Sequence, residues 1–210
     1  SAIIDADDLN RWVDASFDRN IKYSESGMSV KITNKTNTSA KYSRARFKIS
    51  GITDNKAAGF KVWIKNPSQS GISIAYQLVN KSGKYINMKP NRSYYTLNTA
   101  GGVSQHFMKK KVDGANEGCI YIEPEFEGFV YLPVAHGYSS VTADGVSALV
   151  LSPYSKANEF VSVYVDELSV YYNVPGENWS IRNFSEYETT AEMKSHMMYI
   201  SDSVASAITL

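Results

Sequence analysis

Short stretches in which apolar and polar residues alternate recur about every 8 to 15 residues, with turn-forming residues and no helical pattern between them. A parallel sheet is therefore excluded, because each parallel connection needs a crossover of about a dozen residues or more, usually a helix. The stretches are MSVKIT (28–33), YSRARFKI (42–49), GFKVWIKN (59–66), ISIAYQLV (72–79), YYTL (94–97), CIYIE (119–123), GFVYLPV (128–134), VSALVL (146–151) and FVSVYVDELSVYY (160–172).

This pattern predicts an all-β fold over residues 1–173, an antiparallel two-sheet β-sandwich of the jelly-roll, galactose-binding-like type. Residues 174–210 change character and are predicted to be a linker plus a C-terminal amphipathic helix. Residues 185–207 contain neither Gly nor Pro, and apolar residues recur there at helical spacing, namely Met193, Met197, Ile200 and Val204. The segment DADDLNRWVDASF (5–17) predicts one irregular helical turn, with Phe17 facing inward.

Composition narrows the classes of function. The chain of 210 residues has a net charge of +1, which gives no electrostatic footprint for nucleic acid. Its apolar runs are far shorter than the roughly 20 residues of a membrane span, so no membrane insertion is expected. The one cysteine, Cys119, excludes an internal disulfide and a cysteine-based zinc cluster. The three histidines do not stand at metal-ligand spacing, and the common catalytic motifs are missing.

Several aromatic side chains face away from the aliphatic residues of their own strands. In GFKVWIKN the alternation places Phe60, Val62 and Ile64 on one face and Trp63 between two lysines on the other. The same two-residue period turns Tyr121, Tyr131 and Tyr164 outward, with Phe129 beside Tyr131. Polar residues on the same nominal faces include Arg46, Lys61 and Gln77.

Three interpretations of these rings and their neighbours remain open. In the first, the chain is a structural or protein-interaction module and the rings lie beneath a loop or a terminal segment. In the second, the rings form a platform for sugar rings, whose C–H faces stack on aromatic side chains. On the platform interpretation, stacking is predicted for Trp63, Tyr121, Tyr131 and Tyr164, and hydrogen bonds for Gln77, Arg46 and Lys61. The third is a glycan-active jelly-roll enzyme that uses Glu123, Glu125 and Glu127 in IEPEFEG.

The order of several segments resembles the jelly-roll carbohydrate-binding modules of secreted bacterial glycan-degrading proteins, cellulosomal and gut-bacterial ones especially. The matching segments cover roughly residues 3 to 173 and are IIDADDLNRW, GMSVKIT, GFKVWIKNPS, YYTLNTAGG, FEGFVYLPV and VYVDELSVYY. The resemblance implies non-catalytic binding of a polysaccharide or oligosaccharide, secretion or a cell-surface location, and other modules in the same polypeptide.

The resemblance also implies a structural calcium ion near the first and last strands. Asp166 matches the acidic position of the last strand, and Asp5 is the candidate from the N-terminal segment. Calcium binds six to eight oxygen ligands, so these two residues are only part of a set. No organic cofactor is implied. The C-terminal helix departs from the pattern of these modules.

Overall fold

The computed structural model describes residues 15–23, 27–34, 45–48, 57–110, 117–134, 137–138, 145–154 and 161–172. Thirteen strands lie in these ranges. They are β1 (Ala15–Asp18), β2 (Ser29–Asn34), β3 (Ala45–Lys48), β4 (Ala57–Lys65), β5 (Ile72–Asn80), β6 (Tyr85–Asn87), β7 (Ser93–Asn98), β8 (Val103–Phe107), β9 (Lys109–Lys110), β10 (Gly118–Ile122), β11 (Glu127–Pro133), β12 (Val146–Tyr154) and β13 (Val161–Tyr172).

Two antiparallel sheets contain all thirteen strands. The seven-stranded sheet has the order β1-β2-β13-β4-β11-β7-β8. The six-stranded sheet has the order β3-β12-β5-β10-β9, with β6 paired to β5. The predicted all-β, two-sheet antiparallel sandwich is confirmed. Within the described residues no helix is long and apolar enough to cross a membrane. The C-terminal helix predicted after residue 174 falls outside the described ranges.

Alternation along the strands explains how the two sheets pack. Phe60, Val62 and Ile64 of β4 are fully buried and pack in one cluster with inward residues of β5 such as Ile74 and Leu78. Burial of aliphatic side chains between two sheets is the main stabilising contribution to such a sandwich. The core therefore occupies the space between the sheets, and each sheet also has an outer face.

The N-terminal segment differs from its prediction. Residues 15–18 form strand β1, antiparallel to β2, instead of the end of a helical turn. Phe17 pairs with Val30 at the margin of the seven-stranded sheet and its side chain is 48% exposed. Because paired residues face the same side of a sheet, Phe17 faces the core side together with the buried Val30, but about half of its side chain is exposed.

Candidate functional site

The seven predicted ligand-binding residues lie on two different outer faces of the sandwich. The strand registers assign Lys61, Trp63, Tyr131 and Tyr164 to the seven-stranded sheet, and Arg46, Gln77 and Tyr121 to the six-stranded sheet. A single platform that uses both groups is excluded, because the hydrophobic core separates the two faces. The sequence could not reveal this, because strand pairing joins segments that are distant along the chain.

The rings on the seven-stranded sheet are covered, as the first of the three interpretations describes. Trp63 is 1% exposed, Tyr131 is fully buried and Tyr164 is 7% exposed. Each lies on the face away from the core, as the two-residue period predicts, but the period does not report what covers that face. Direct stacking of a ligand on these rings would need their cover to move, and their role in binding stays a prediction.

Tyr23 is part of that cover, and no sequence pattern indicated it. It follows β1 in the segment KYSES, outside any alternating stretch. Its ring lies edge-on to Phe129 with centroids 4.9 Å apart, and 6.2 Å from the ring of Trp63 at a tilted angle. Tyr23 itself is 54% exposed. It therefore presents an accessible ring directly above two rings of the sheet.

The outer surface of β4, β11, β7 and the adjoining Gln105 of β8, with Tyr23 above it, is called here the aromatic face. Its members are Tyr23, Lys61, Trp63, Tyr95, Leu97, Gln105, Phe129 and Tyr131. The Lys61 ammonium lies 4.3 Å from the ring centroid of Phe129 and 5.5 Å from that of Tyr131. Such positions are favourable because the ring face carries negative potential. Gln105 Nε2 lies 3.4 Å from the Tyr95 hydroxyl.

Charged residues border the aromatic face on one side. Lys65 and Glu127, which are opposite one another on β4 and β11, form an ion pair with a 3.6 Å separation. Lys31 lies 5.7 Å from the ring centroid of Tyr164. The Lys65–Glu127 pair is part-exposed and contributes little to folding stability. The face thus combines rings, ammonium groups, an amide and a carboxylate on adjacent strands.

The indole N–H of Trp63 is a buried donor. Among the described residues no acceptor lies within hydrogen-bonding distance of Trp63 Nε1. A buried Trp N–H usually finds a partner, and a missing one costs free energy. The aromatic face therefore contains a donor whose bonding capacity the described part of the protein does not use.

Asp166 holds Tyr23 against the aromatic face. Asp166 is fully buried opposite Trp63, its Oδ2 accepts the Tyr23 backbone N–H at 2.9 Å, and its Oδ1 accepts the Glu167 N–H at 2.8 Å. Glu167 has a positive φ of 50° at a β-bulge, which turns its N–H toward the carboxylate. Asp166 is thus a positioning residue for the exposed ring.

The described residues contain only one of the two carboxylates predicted for the calcium site, Asp166. None of their His, Cys, Asp and Glu side chains form a cluster of three or more that could hold a metal ion. Asp5 lies outside the described ranges. The two backbone hydrogen bonds of Asp166 give its carboxylate a structural role that needs no ion, and calcium stays a prediction.

The outer face of the six-stranded sheet has a different character. Tyr121 is 40% exposed, and its ring lies across Gly71, where a Cβ atom would meet the Tyr121 hydroxyl at 1.8 Å. Lys109 Nζ lies 5.8 Å from the Tyr121 ring centroid. Gln77 donates a hydrogen bond to the Asn87 side chain, and Arg46 is half-buried. Tyr85, opposite Val79 on the same face, is 38% exposed, so the accessible rings among the described residues of this surface include both Tyr121 and Tyr85.

The three glutamates of the enzyme alternative do not share a site. Glu127 pairs with Lys65 beside the aromatic face. Glu125 sits in the exposed turn before β11 with a φ of 58°, and its N–H donates to the Ser68 carbonyl. Glu123 lines a cavity together with residues on the core side of β7 and β8. Glycoside hydrolysis needs two carboxylates that flank one bond, whereas these three glutamates have different surroundings: an ion pair, an exposed turn and a cavity wall.

The cavity that Glu123 lines is at the edge of the sandwich, beyond the end of β9, and is called here the edge cavity. Its lining consists of Thr96, Asn98, Ser104, His106, Tyr121, Ile122, Glu123 and Phe126. His106 stacks on Tyr94 with centroids 5.1 Å apart, and its Nε2 lies 2.8 Å from the Thr96 hydroxyl. Burial lowers the pKa of His106, and the nearby Glu123 carboxylate opposes that shift.

The His106 shift predicts a loss of stability on mild acidification. The pKa of the His106 imidazole is lower in the folded protein than in the unfolded chain, where it is about 6.5. Between these two pKa values the unfolded chain binds more protons than the folded protein. Stability should be complete above pH 6.5 and fall as the pH drops through the folded pKa. Thermal unfolding between pH 7.5 and 5.0 should show a steeper decline for the wild type than for His106→Gln; parallel profiles would contradict it.

The sequence matches no protein-family model, and no curated protein matches it in sequence. Solved structures similar to the chain include a family 30 carbohydrate-binding module, with 8% identity, a TM-score of 0.43, and coverage of 79% of this chain and 77% of that one.

Two further solved structures are similar to the chain. The family 11 carbohydrate-binding module of a cellulosomal cellulase of Clostridium thermocellum shows 12% identity, a TM-score of 0.42, and coverage of 77% and 84%. A putative sugar binding protein from Bacteroides thetaiotaomicron shows 13% identity, a TM-score of 0.36, and coverage of 76% and 81%. Carbohydrate-binding modules are also what the sequence motifs resemble. Identities and TM-scores of this size do not assign the chain to a family.

Proposed function

We propose that this chain binds a polysaccharide or oligosaccharide on the aromatic face and does not transform it. The observation that carries the proposal is the cluster of an exposed Tyr23 ring, the half-buried Phe129 ring and the Lys61 ammonium 4.3 Å from Phe129. Sugar rings offer C–H faces to aromatic side chains and hydroxyls to ammonium and amide groups. Lys61 and Gln105 supply such groups beside the rings.

The proposed roles differ from those predicted from the sequence. Tyr23 and Phe129 provide the surfaces for stacking, since they are more accessible than the other rings that surround Lys61 and Trp63. Trp63 forms the floor that supports both of them. A platform that leaves most of the ligand in water binds it weakly, with a dissociation constant on the order of micromolar to millimolar.

On this proposal the domain serves as a targeting module. Its attachment to other modules of a secreted or cell-surface bacterial protein would keep that protein on its polysaccharide. Weak binding at a single site is sufficient for that task, because the overall affinity rises when several sites along one polymer, or several modules of one protein, are bound at the same time.

Affinity electrophoresis through gels that contain a panel of plant, algal and bacterial polysaccharides tests the proposal. At least one polysaccharide should retard the wild type. Phe129→Ala or Lys61→Met should be retarded less, with a dissociation constant at least about tenfold higher. The matched controls are Tyr121→Ala and Lys109→Met, which remove the equivalent ring and ammonium from the opposite sheet. Controls that lose binding while Phe129→Ala retains it would move the site to the six-stranded sheet.

A further inference from the structure

The core side of the β7–β8 hairpin becomes polar where the other strands carry aliphatic residues. The pairing of Thr96 with Ser104, and of Tyr94 with His106, places these side chains on the inner face of the seven-stranded sheet. Inner positions of β4, in contrast, are Phe60, Val62 and Ile64. Thr96 and His106 satisfy one another by a hydrogen bond, and Ser104 is exposed, so this polar face is stable and leaves hydroxyl groups accessible at the edge of the core.

The six-stranded sheet ends early at this place, which opens the edge cavity. Strand β9 pairs only with Gly118 and Cys119 of β10. Beyond it, the Tyr94 hydroxyl takes the place of a neighbouring strand: it accepts the Tyr121 N–H at 2.9 Å and donates to the Tyr121 carbonyl at 3.0 Å. The backbone of Tyr121 at the edge of β10 is therefore satisfied without a further strand, and no other described strand pairs there.

The edge cavity combines hydrogen-bonding groups with apolar walls. The hydroxyls of Thr96 and Ser104, the Asn98 amide and the Glu123 carboxylate line it, and Phe126 forms an apolar side. Asn98 is positioned because its Oδ1 accepts the Gly102 N–H at 2.8 Å. Few polar groups that converge beside an aromatic ring are characteristic of small-molecule sites.

Charge and size restrict the ligand. Of the eight described residues that line the edge cavity, Glu123 alone is formally charged at neutral pH, since burial keeps His106 neutral. An anionic group is therefore repelled. The cavity volume is about 50 Å³. On this measure a single water needs about 10 to 15 Å³, so the space admits a few waters or a small hydroxyl-bearing arm.

We infer that the edge cavity is a second ligand site, which holds the hydroxyl-bearing arm of a neutral sugar or similar polyol. The hydroxymethyl group of a neutral hexose has the required size and can both donate to Glu123 and exchange hydrogen bonds with Ser104. The matching hexuronic acid places a carboxylate at the same position and is rejected by Glu123. This site is separate from the aromatic face, which lies on the other side of the same sheet.

Titration of ¹⁵N-labelled protein with methyl hexosides and the matching methyl hexuronides, followed by NMR, tests the inference. The neutral glycosides should produce saturable shifts at the amides of Thr96, Ser104 and His106, with a dissociation constant in the millimolar range. The hexuronides should bind at least about tenfold more weakly, and Glu123→Gln should reduce that difference.

Two variants at one position separate binding from folding. Ser104→Phe fills the cavity and should weaken hexoside binding at least about tenfold, whereas Ser104→Ala leaves the space open and should change it by less. Both should retain polysaccharide retardation by the aromatic face. Absence of hexoside shifts at these amides, equal binding of hexosides and hexuronides, or unchanged binding in Ser104→Phe would each overturn the inference. Shifts confined to Lys61 and Phe129 would overturn it while supporting the aromatic face.

Discussion

Replacement of Trp63 with alanine is expected to lower the free energy of unfolding by about 3 to 5 kcal/mol, as for other buried Trp and Phe side chains. The ring is 1% exposed on the outer side of β4, where the rings of Phe129 and Tyr23 pack near it. Its removal leaves a space that the sheet backbone cannot close. Urea denaturation followed by circular dichroism measures the loss, which should appear as a lower midpoint with a similar slope.

Two other substitutions calibrate that result. Trp63→Phe keeps an aromatic ring and removes the N–H that lacks an acceptor among the described residues, so it should cost less than Trp63→Ala. Phe107→Ala removes a ring that is 60% exposed on the same sheet face and should cost less than about 1 kcal/mol. A Trp63→Ala midpoint equal to that of Phe107→Ala would contradict the buried position of Trp63.

Replacement of Asp166 with alanine is expected to cost about 2 to 4 kcal/mol and to weaken polysaccharide binding as well. The substitution removes a buried acceptor and leaves the N–H groups of Tyr23 and Glu167 without their partner. Hydrogen bonds to charged groups contribute about 1.5 to 3 kcal/mol each, and a buried donor left unpaired adds its desolvation cost. Binding should weaken because Tyr23 loses the bond that holds it above Phe129.

Asp166→Asn separates the effect of the carboxylate on stability from its effect on polysaccharide binding. It preserves the shape and one acceptor oxygen, so about half of the stability loss and a smaller binding defect are expected. Equal stability of Asp166→Ala and the wild type would contradict this role of the carboxylate. The same variants test the predicted calcium site. On that prediction, calcium raises the melting temperature of EDTA-treated wild type but not of Asp166→Asn; the two hydrogen bonds alone predict no calcium effect.

Most strands within long alternating stretches could be predicted from sequence, including the four-residue β3, whereas β1, β6, β8 and β9 could not. The stretches around Val62, Ile74 and Val130 are long enough for the two-residue period to be recognised, and each became a central strand. Strands β1, β6 and β9 have four, three and two residues. So few residues do not distinguish a strand from a turn, because their pairing depends on the neighbouring strand and not on their own pattern.

The candidate site was predictable only in part, for a related reason. The alternation assigned Trp63 and Tyr131 to the face away from the core, but it contains no information on what lies above that face. Tyr23 reaches it through a hydrogen bond to Asp166, 143 residues later in the chain. Neither residue stands out alone, since a tyrosine in a serine-rich turn and an aspartate in a strand are both ordinary. Their contact exists only in the folded chain.

The most direct test of the aromatic face is an NMR titration of labelled protein with oligosaccharides of the polysaccharide that retards it most. The proposal predicts that the largest saturable shifts occur at Tyr23, Lys61, Phe129 and Gln105, and that Phe129→Ala abolishes them while Tyr121→Ala retains them. Shifts centred on Tyr121 and its neighbours in the six-stranded sheet, or no saturable shift with any oligosaccharide, would contradict it.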